Sequence, residues 1–304
     1  MLQNMKLIQE LDNIFKEAEV DNKKQLSNAK LADISLKITE EWLTGFDENG
    51  YSPVALAMYK GHSPETATYL ISKMPDPDFP ITINKSSSLI VAADSGMDSI
   101  IKNLIDKGAN VNFQNIHGAA AITYAAAKGD TQIAKFLIEN KANVNLLDNE
   151  DTSPLAYAAK VGKTEIISLL LEHKAEVNLL NKYGNIPLMY AAQGGYDKAV
   201  NLLCSQGANV NARNNDGNTA LMFAASNGHM ETIKSLLINH ADLNVKNNKG
   251  LTAAMYLAKY QLSRKENIIN KHEQNVGANN EKTWVEKIRS QKQNAVSKTS
   301  TKML

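Results

Sequence analysis

Cys204 and six histidines, at positions 62, 117, 173, 229, 240 and 272, are the side chains best suited to act as nucleophile, base or metal ligand. A reactive thiol needs a base or a positive environment to form thiolate, and a zinc site needs about four Cys or His ligands at short, defined spacings. Neither pattern is present. The histidines are scattered, and Cys204 stands where Ile105, Ile138, Leu171 and Leu237 stand at steps of 33 residues, so it reads as a small core residue. The phosphate-cradling pattern G-x-x-x-x-G-K-[ST] is absent and the carboxylates show no special pairing. The residues therefore nominate no catalytic group, no metal site and no cofactor site, and no small-molecule substrate is expected.

The step of 33 that places Cys204 among aliphatics runs through most of the chain. Residues 152–162 read TSPLAYAAKVG, and residues 185–195 read NIPLMYAAQGG. Gly96, Gly129, Gly162, Gly195 and Gly228 keep the same interval, as do Asn112, Asn145, Asn178, Asn211 and Asn244. A fixed period of this length marks a stacked array whose units cannot bury their apolar faces alone. Each unit reads as two short helices and an extended turn. Ser52, Ser153, Thr219 and Thr252 are the capping hydroxyls of the first helix, with Pro53 and Pro154 at the first helical position. Paired alanines such as Ala158–Ala159 let a neighbouring helix approach closely. The second helix carries apolar residues at i, i+3 and i+4, as in Ile167, Leu170 and Leu171.

The stretches DNEDTSPLAYAAKVGKTEIISLLLEHKAEVN at 148–178 and NNDGNTALMFAASNGHMETIKSLLINHADLN at 214–244 resemble ankyrin repeats, with the pattern D-x-x-G-x-T-P-L-H-x-A-A-x-x-G-H, an aliphatic helix and G-A-x-V-N. The likeness covers five units from about 82 to 244, a divergent unit from Asp47 to about 72, and a terminal half-unit at 247–260. It implies an all-α ankyrin-repeat solenoid of helix-turn-helix units with short hairpin loops. The expected organisation is an N-terminal helical cap over 1–46, about six repeats plus a half-repeat over 47–262, and a basic, partly disordered tail over 263–304. The cap is expected as helices over 5–18 and 26–43, and the tail holds one candidate helix around Trp284, Val285 and Ile288.

Departures from the pattern carry their own expectations. The motif histidine is replaced by Ile90, Thr123, Ala156, Met189, Met222 and Met255, so its hydrogen bonds must be made otherwise or lost. Lys141, Lys174 and His240 replace the glycine after the second helix, where a left-handed backbone costs a side chain on the order of 1 kcal/mol. Segment 73–80, KMPDPDFP, holds three of the seven prolines and a two-residue surplus, which predicts an irregular finger. Tyr124, Tyr157, Tyr190, Phe223 and Tyr256 form an aromatic column that reads as packing between helices rather than a ligand-stacking ladder.

The resemblance implies a non-enzymatic scaffold that binds a protein partner through its concave face and hairpin tips. The variable positions on those surfaces are His117, Asn149, Glu150, Lys160, Lys182, Tyr183, Gln193, Asn215 and Asp216. Two further readings are a substrate-recruiting subunit of an enzyme or modifying complex, and tail docking to an anionic membrane or nucleic acid. The last 46 residues carry ten basic against four acidic residues, whereas residues 47–258 are slightly acidic, which argues against nucleic-acid binding by the array. No apolar run reaches the roughly 18 residues of a membrane span, and the N-terminus lacks a signal-peptide core. A single cysteine fits a cytoplasmic protein. The Asn- and Lys-rich wording also resembles ankyrin effectors that intracellular bacteria deliver into host cells, which makes a specialised secretion route the alternative location.

Overall fold

A computed structural model describes residues 2–21, 24–59 and 63–275; within them lie sixteen helices and one isolated β-bridge, Tyr51 with Thr82. The chain opens with α1 (Leu2–Asp21), α2 (Lys24–Lys37) and α3 (Glu40–Thr44). Helix pairs follow: α4 (Pro53–Tyr59) and α5 (Pro64–Lys73), α6 (Ser88–Ser95) and α7 (Asp98–Asp106), α8 (Ala121–Lys128) and α9 (Thr131–Glu139). The same alternation continues through α10 (Pro154–Val161) and α11 (Thr164–Glu172), α12 (Pro187–Gly194) and α13 (Asp197–Ser205), and α14 (Ala220–Asn227) and α15 (Met230–Ile238). The last helix is α16 (Ala253–Asn275). No helix among the described residues is long and apolar enough to cross a membrane.

Helices of eight or nine residues are marginal alone, and stacking is what stabilises these. The first helices of successive pairs lie in the closest contact, because their facing residues are the buried alanine pairs. The second helices pack through larger residues such as Ile167, Leu170 and Leu203 and are spaced more loosely. A row with tighter spacing takes the inside of the curve, so the first helices form the concave wall. The capping hydroxyls act as expected: Ser153 Oγ accepts from Ala156 N at 3.2 Å and Thr219 Oγ1 from Met222 N at 3.4 Å.

Within a unit the first helix ends on a left-handed glycine, as at Gly162 (φ 73°) and Gly195 (φ 78°), whereas after the second helix Lys141, Lys174 and His240 hold φ of 70°, 66° and 66° without glycine's freedom. Those junctions are tied by the repeat-end asparagines. Asn145 Nδ2 donates to Lys174 O at 3.1 Å while its Oδ1 accepts from Glu176 N at 2.9 Å. Asn112, Asn178 and Asn211 repeat both bonds one unit apart. Where the motif histidine is missing, Ile90, Met189 and Met222 are buried apolar substitutes, and Thr123 Oγ1 instead accepts from Ala120 N.

At the N-terminal end α1 lies against α4 and α5, burying Ile8, Leu11 and Ile14. The helix expected over 26–43 is split at Ile38–Thr39, because Thr39 Oγ1 caps a new helix by accepting from Trp42 N at 3.1 Å. At the other end α16 runs for 23 residues and passes residue 262, where the repeat domain was expected to stop. Gln261 stands one 33-residue step beyond Gly228, so the glycine that ends each earlier first helix is missing and the helix continues. The readings at Gly61–His62 and around Trp284, Val285 and Ile288 lie outside the described residues.

Candidate partner-binding surface

Each finger is anchored at its base and joined to the next at its tip. At the base, Asn115, Asp148, Asn181, Asn214 and Asn247 fold the turn by accepting two backbone N–H groups with one side-chain oxygen, as when Asp148 Oδ1 accepts from Glu150 N and Thr152 N at 2.8 Å each. The aromatic column completes this anchor. Asn115, Asn181 and Asn247 donate through Nδ2 to the hydroxyls of Tyr124, Tyr190 and Tyr256 at 3.2, 2.7 and 3.0 Å. At Asp148 the polarity reverses, and the Tyr157 hydroxyl donates to Oδ2 at 2.7 Å. Burial first, and then this bond to a carboxylate, push the Tyr157 phenol well above its ordinary pKa. Phe223 has no hydroxyl, and Asn214 Nδ2 turns instead to Asn185 Oδ1 at 2.9 Å. The column is therefore half-buried packing, as read, with a second task in bracing the fingers.

At the tips, a backbone ladder runs along the array. Asn149 N donates to His117 O, Lys182 N to Glu150 O, Asn215 N to Tyr183 O and Asn248 N to Asp216 O, at 2.9 to 3.0 Å. This ladder brings His117, Asn149, Glu150, Lys182, Tyr183, Asn215 and Asp216 into one continuous row, all exposed. The Tyr183 ring is 58% exposed. The neighbouring Glu150 carboxylate raises the phenol's pKa. Asn149 and Asn215 serve the scaffold as well, donating Nδ2 to Ile116 O and Lys182 O at 2.7 and 2.8 Å, which leaves less of each side chain for a partner. Lys160 and Gln193 lie apart from the tips, one unit from each other in the last turns of α10 and α12, where both are exposed. The Gln193 carbonyl is taken by the His229 ring at 3.0 Å.

Among the described residues no group of three or more His, Cys, Asp or Glu is placed to hold a metal. Cys204 is half-buried against the core, and burial pushes its thiol up to about 11, which keeps it protonated.

The family model described as ankyrin repeats (3 copies) matches residues 122–214 and 188–279, and the one described as ankyrin repeats (many copies) matches residues 89–138, which together span more than half of the chain. The chain belongs to the ankyrin-repeat family. No curated protein matches it in sequence. Ankyrin repeats are generally protein–protein interaction modules, and the ankyrin array here carries the all-α architecture of that family without a strand among its described residues.

One group of surface residues escaped the sequence reading. Tyr51, Tyr59, Asn84 and Asp94 line a cavity of about 190 Å³ at the N-terminal end of the concave wall. The signal was available in the columns: the positions one unit before Asn115 and Tyr124 are Thr82 and Val91, two truncations at one level of the stack. Another hollow, of about 240 Å³, lies on the outer side between α7 and α9, lined by Ile101, Ile133 and Phe136, away from the fingers.

Proposed function

We propose that the ankyrin array is a non-enzymatic scaffold that grips a protein partner across its finger tips and concave wall, with contacts centred on His117, Glu150, Lys160, Lys182 and Tyr183. The observation that carries this reading is the tip ladder: the backbone bonds repeat from unit to unit while the exposed side chains on them change. A rigid row of this kind presents different side chains at a fixed spacing, which is what specific recognition needs at low ordering cost. Tyr183 is the natural anchor, since it is a large amphipathic ring, exposed on the tip row and carrying only two side-chain torsions to order on binding.

The test is affinity capture with the full chain carrying Tyr183→Ala and Lys182→Ala. Both side chains are exposed, so the unfolding midpoint should not move, while capture of partner proteins should fall by at least about tenfold. A stable variant that retains every partner would place the interface elsewhere.

A further inference from the structure

The cavity at the N-terminal end of the concave wall has a composition that points to one kind of side chain. In the later units a tyrosine hydroxyl meets the finger-base side chain, as at Asn115 and Asp148; one unit before Asn115 the finger base is the short Thr82, which lines the open space. The first unit adds two tyrosines that no later unit has at those positions. The Tyr51 and Tyr59 rings meet edge to face, with centroids 5.4 Å apart at 68°. Asp94 supplies a carboxylate, Asn49 and Asn84 supply amides, and Tyr124 closes the far side. The Tyr124 oxygen accepts from Asn115 Nδ2 at 3.2 Å and so keeps its own proton to donate. Burial, followed by the Asp94 charge, pushes the Tyr59 phenol up to about 12, which places that ring and the carboxylate within each other's field.

We propose that this cavity receives an arginine side chain from the protein partner. The inference rests on the reading of the array as a protein-binding surface and deepens it by naming what one part of the partner carries. A carboxylate disfavours a phosphate or an acidic side chain, and the amide and hydroxyl walls would lose their water to an apolar one without return. A guanidinium presents five donors in a plane, matching the carboxylate and amide oxygens, and its face stacks on phenol rings. The cavity is smaller than the 300 Å³ or so at which small-molecule sites begin, so it suits a single side chain. Lys128 Nζ lies 3.2 Å from Asp94 Oδ1 but is 58% exposed, against 29% for the Asp94 side chain; a lysine held from the solvent side is weakly bound and can swing away as the guanidinium enters.

The experiment uses the 15N-labelled full chain titrated with N-acetyl-arginine amide, with the citrulline compound as the uncharged isostere. The arginine probe should shift amides around Tyr59, Asn84 and Asp94 saturably in the millimolar range, and citrulline should bind at least tenfold more weakly. Asp94→Asn should weaken the arginine probe at least tenfold. Lys128→Ala, which removes the competing cation, should tighten it several-fold, an effect that a merely structural lysine would not produce. Equal binding of citrulline, an unchanged Asp94→Asn variant, or no saturable shift at these residues overturns the proposal. The Tyr183→Ala, Lys182→Ala variant leaves the cavity intact and should bind the probe normally. Failure of the probe with partner capture preserved would therefore sink the arginine site alone, and the reverse outcome would sink the finger-tip interface alone.

Discussion

At the scale of single residues, the hydroxyls of the aromatic column differ in what they satisfy, and that difference predicts unequal costs. Tyr157 donates to Asp148, a buried carboxylate whose other oxygen already holds the turn. Tyr157→Phe leaves a buried charged acceptor short of a partner and should cost about 1–3 kcal/mol. Tyr124 only accepts, from an Asn115 amide that also donates to Ser86 Oγ at 3.2 Å. Tyr124→Phe should therefore cost no more than about 1 kcal/mol. Urea unfolding of the two variants decides it; equal losses would mean that the column contributes through its rings alone.

At the scale of the element, the fingers show how one position constrains the next. Gly118, Gly184 and Gly217 hold φ of 73–75°, and a Cβ built there would come within 2.5 or 2.6 Å of the side-chain oxygen of Asn149, Asn215 or Asn248 on the following finger. Lys85 and Asp151 occupy the same column with φ of 53° and 57°, and each is followed by a residue other than asparagine, Ile116 or Lys182. Glycine and the bridging asparagine are thus one device, and its replacement comes in pairs. Gly118→Asp should cost more than about 1 kcal/mol, and adding Asn149→Lys, which copies Asp151 and Lys182, should recover part of the loss. A double-mutant cycle measures this coupling; strict additivity would show that the two positions are independent.

For the whole molecule, an array is as stable as its ends allow, and the N-terminal end is closed by a buried charge. Asp12 on α1 is 1% exposed; its Oδ1 accepts from Ser63 N at 2.7 Å and Thr66 Oγ1 at 3.3 Å at the start of α5, and its Oδ2 meets Lys16 Nζ at 2.7 Å. Burial alone would raise this carboxyl, but Lys16 and the bonds from Ser63 outweigh it and hold the group well below the ordinary carboxylate range. A folded pKa depressed in this way contributes stability that is fully present above the unfolded value near 3.8 and is lost as pH falls through the folded one. Hydrogen exchange of α1 and α5 should accelerate as pH drops below about 4, after correction for intrinsic rates, and Asp12→Asn should flatten that dependence. Identical pH profiles for the two proteins would show that the docking of α1 does not depend on the charge.

The period of 33 was enough to determine the fold, because an array repeats its local and its neighbour contacts together: glycine turns, capping hydroxyls, alanine pairs and buried aliphatics all recur in one register. Positions such as Lys141 and His240 were legible as left-handed residues for the same reason. The second task of the tyrosines was not, since it depends on which finger-base atom faces each hydroxyl. Neither was the end of the last helix, where Gln261 stands in place of the turn glycine and α16 continues through it to Asn275. The concave cavity marks the boundary most clearly. Thr82 is short in the sequence, but whether Tyr51, Tyr59 and Asp94 surround a space beside it depends on how a finger with two extra residues packs across the next unit, and that is decided by tertiary contacts between units, not by the period.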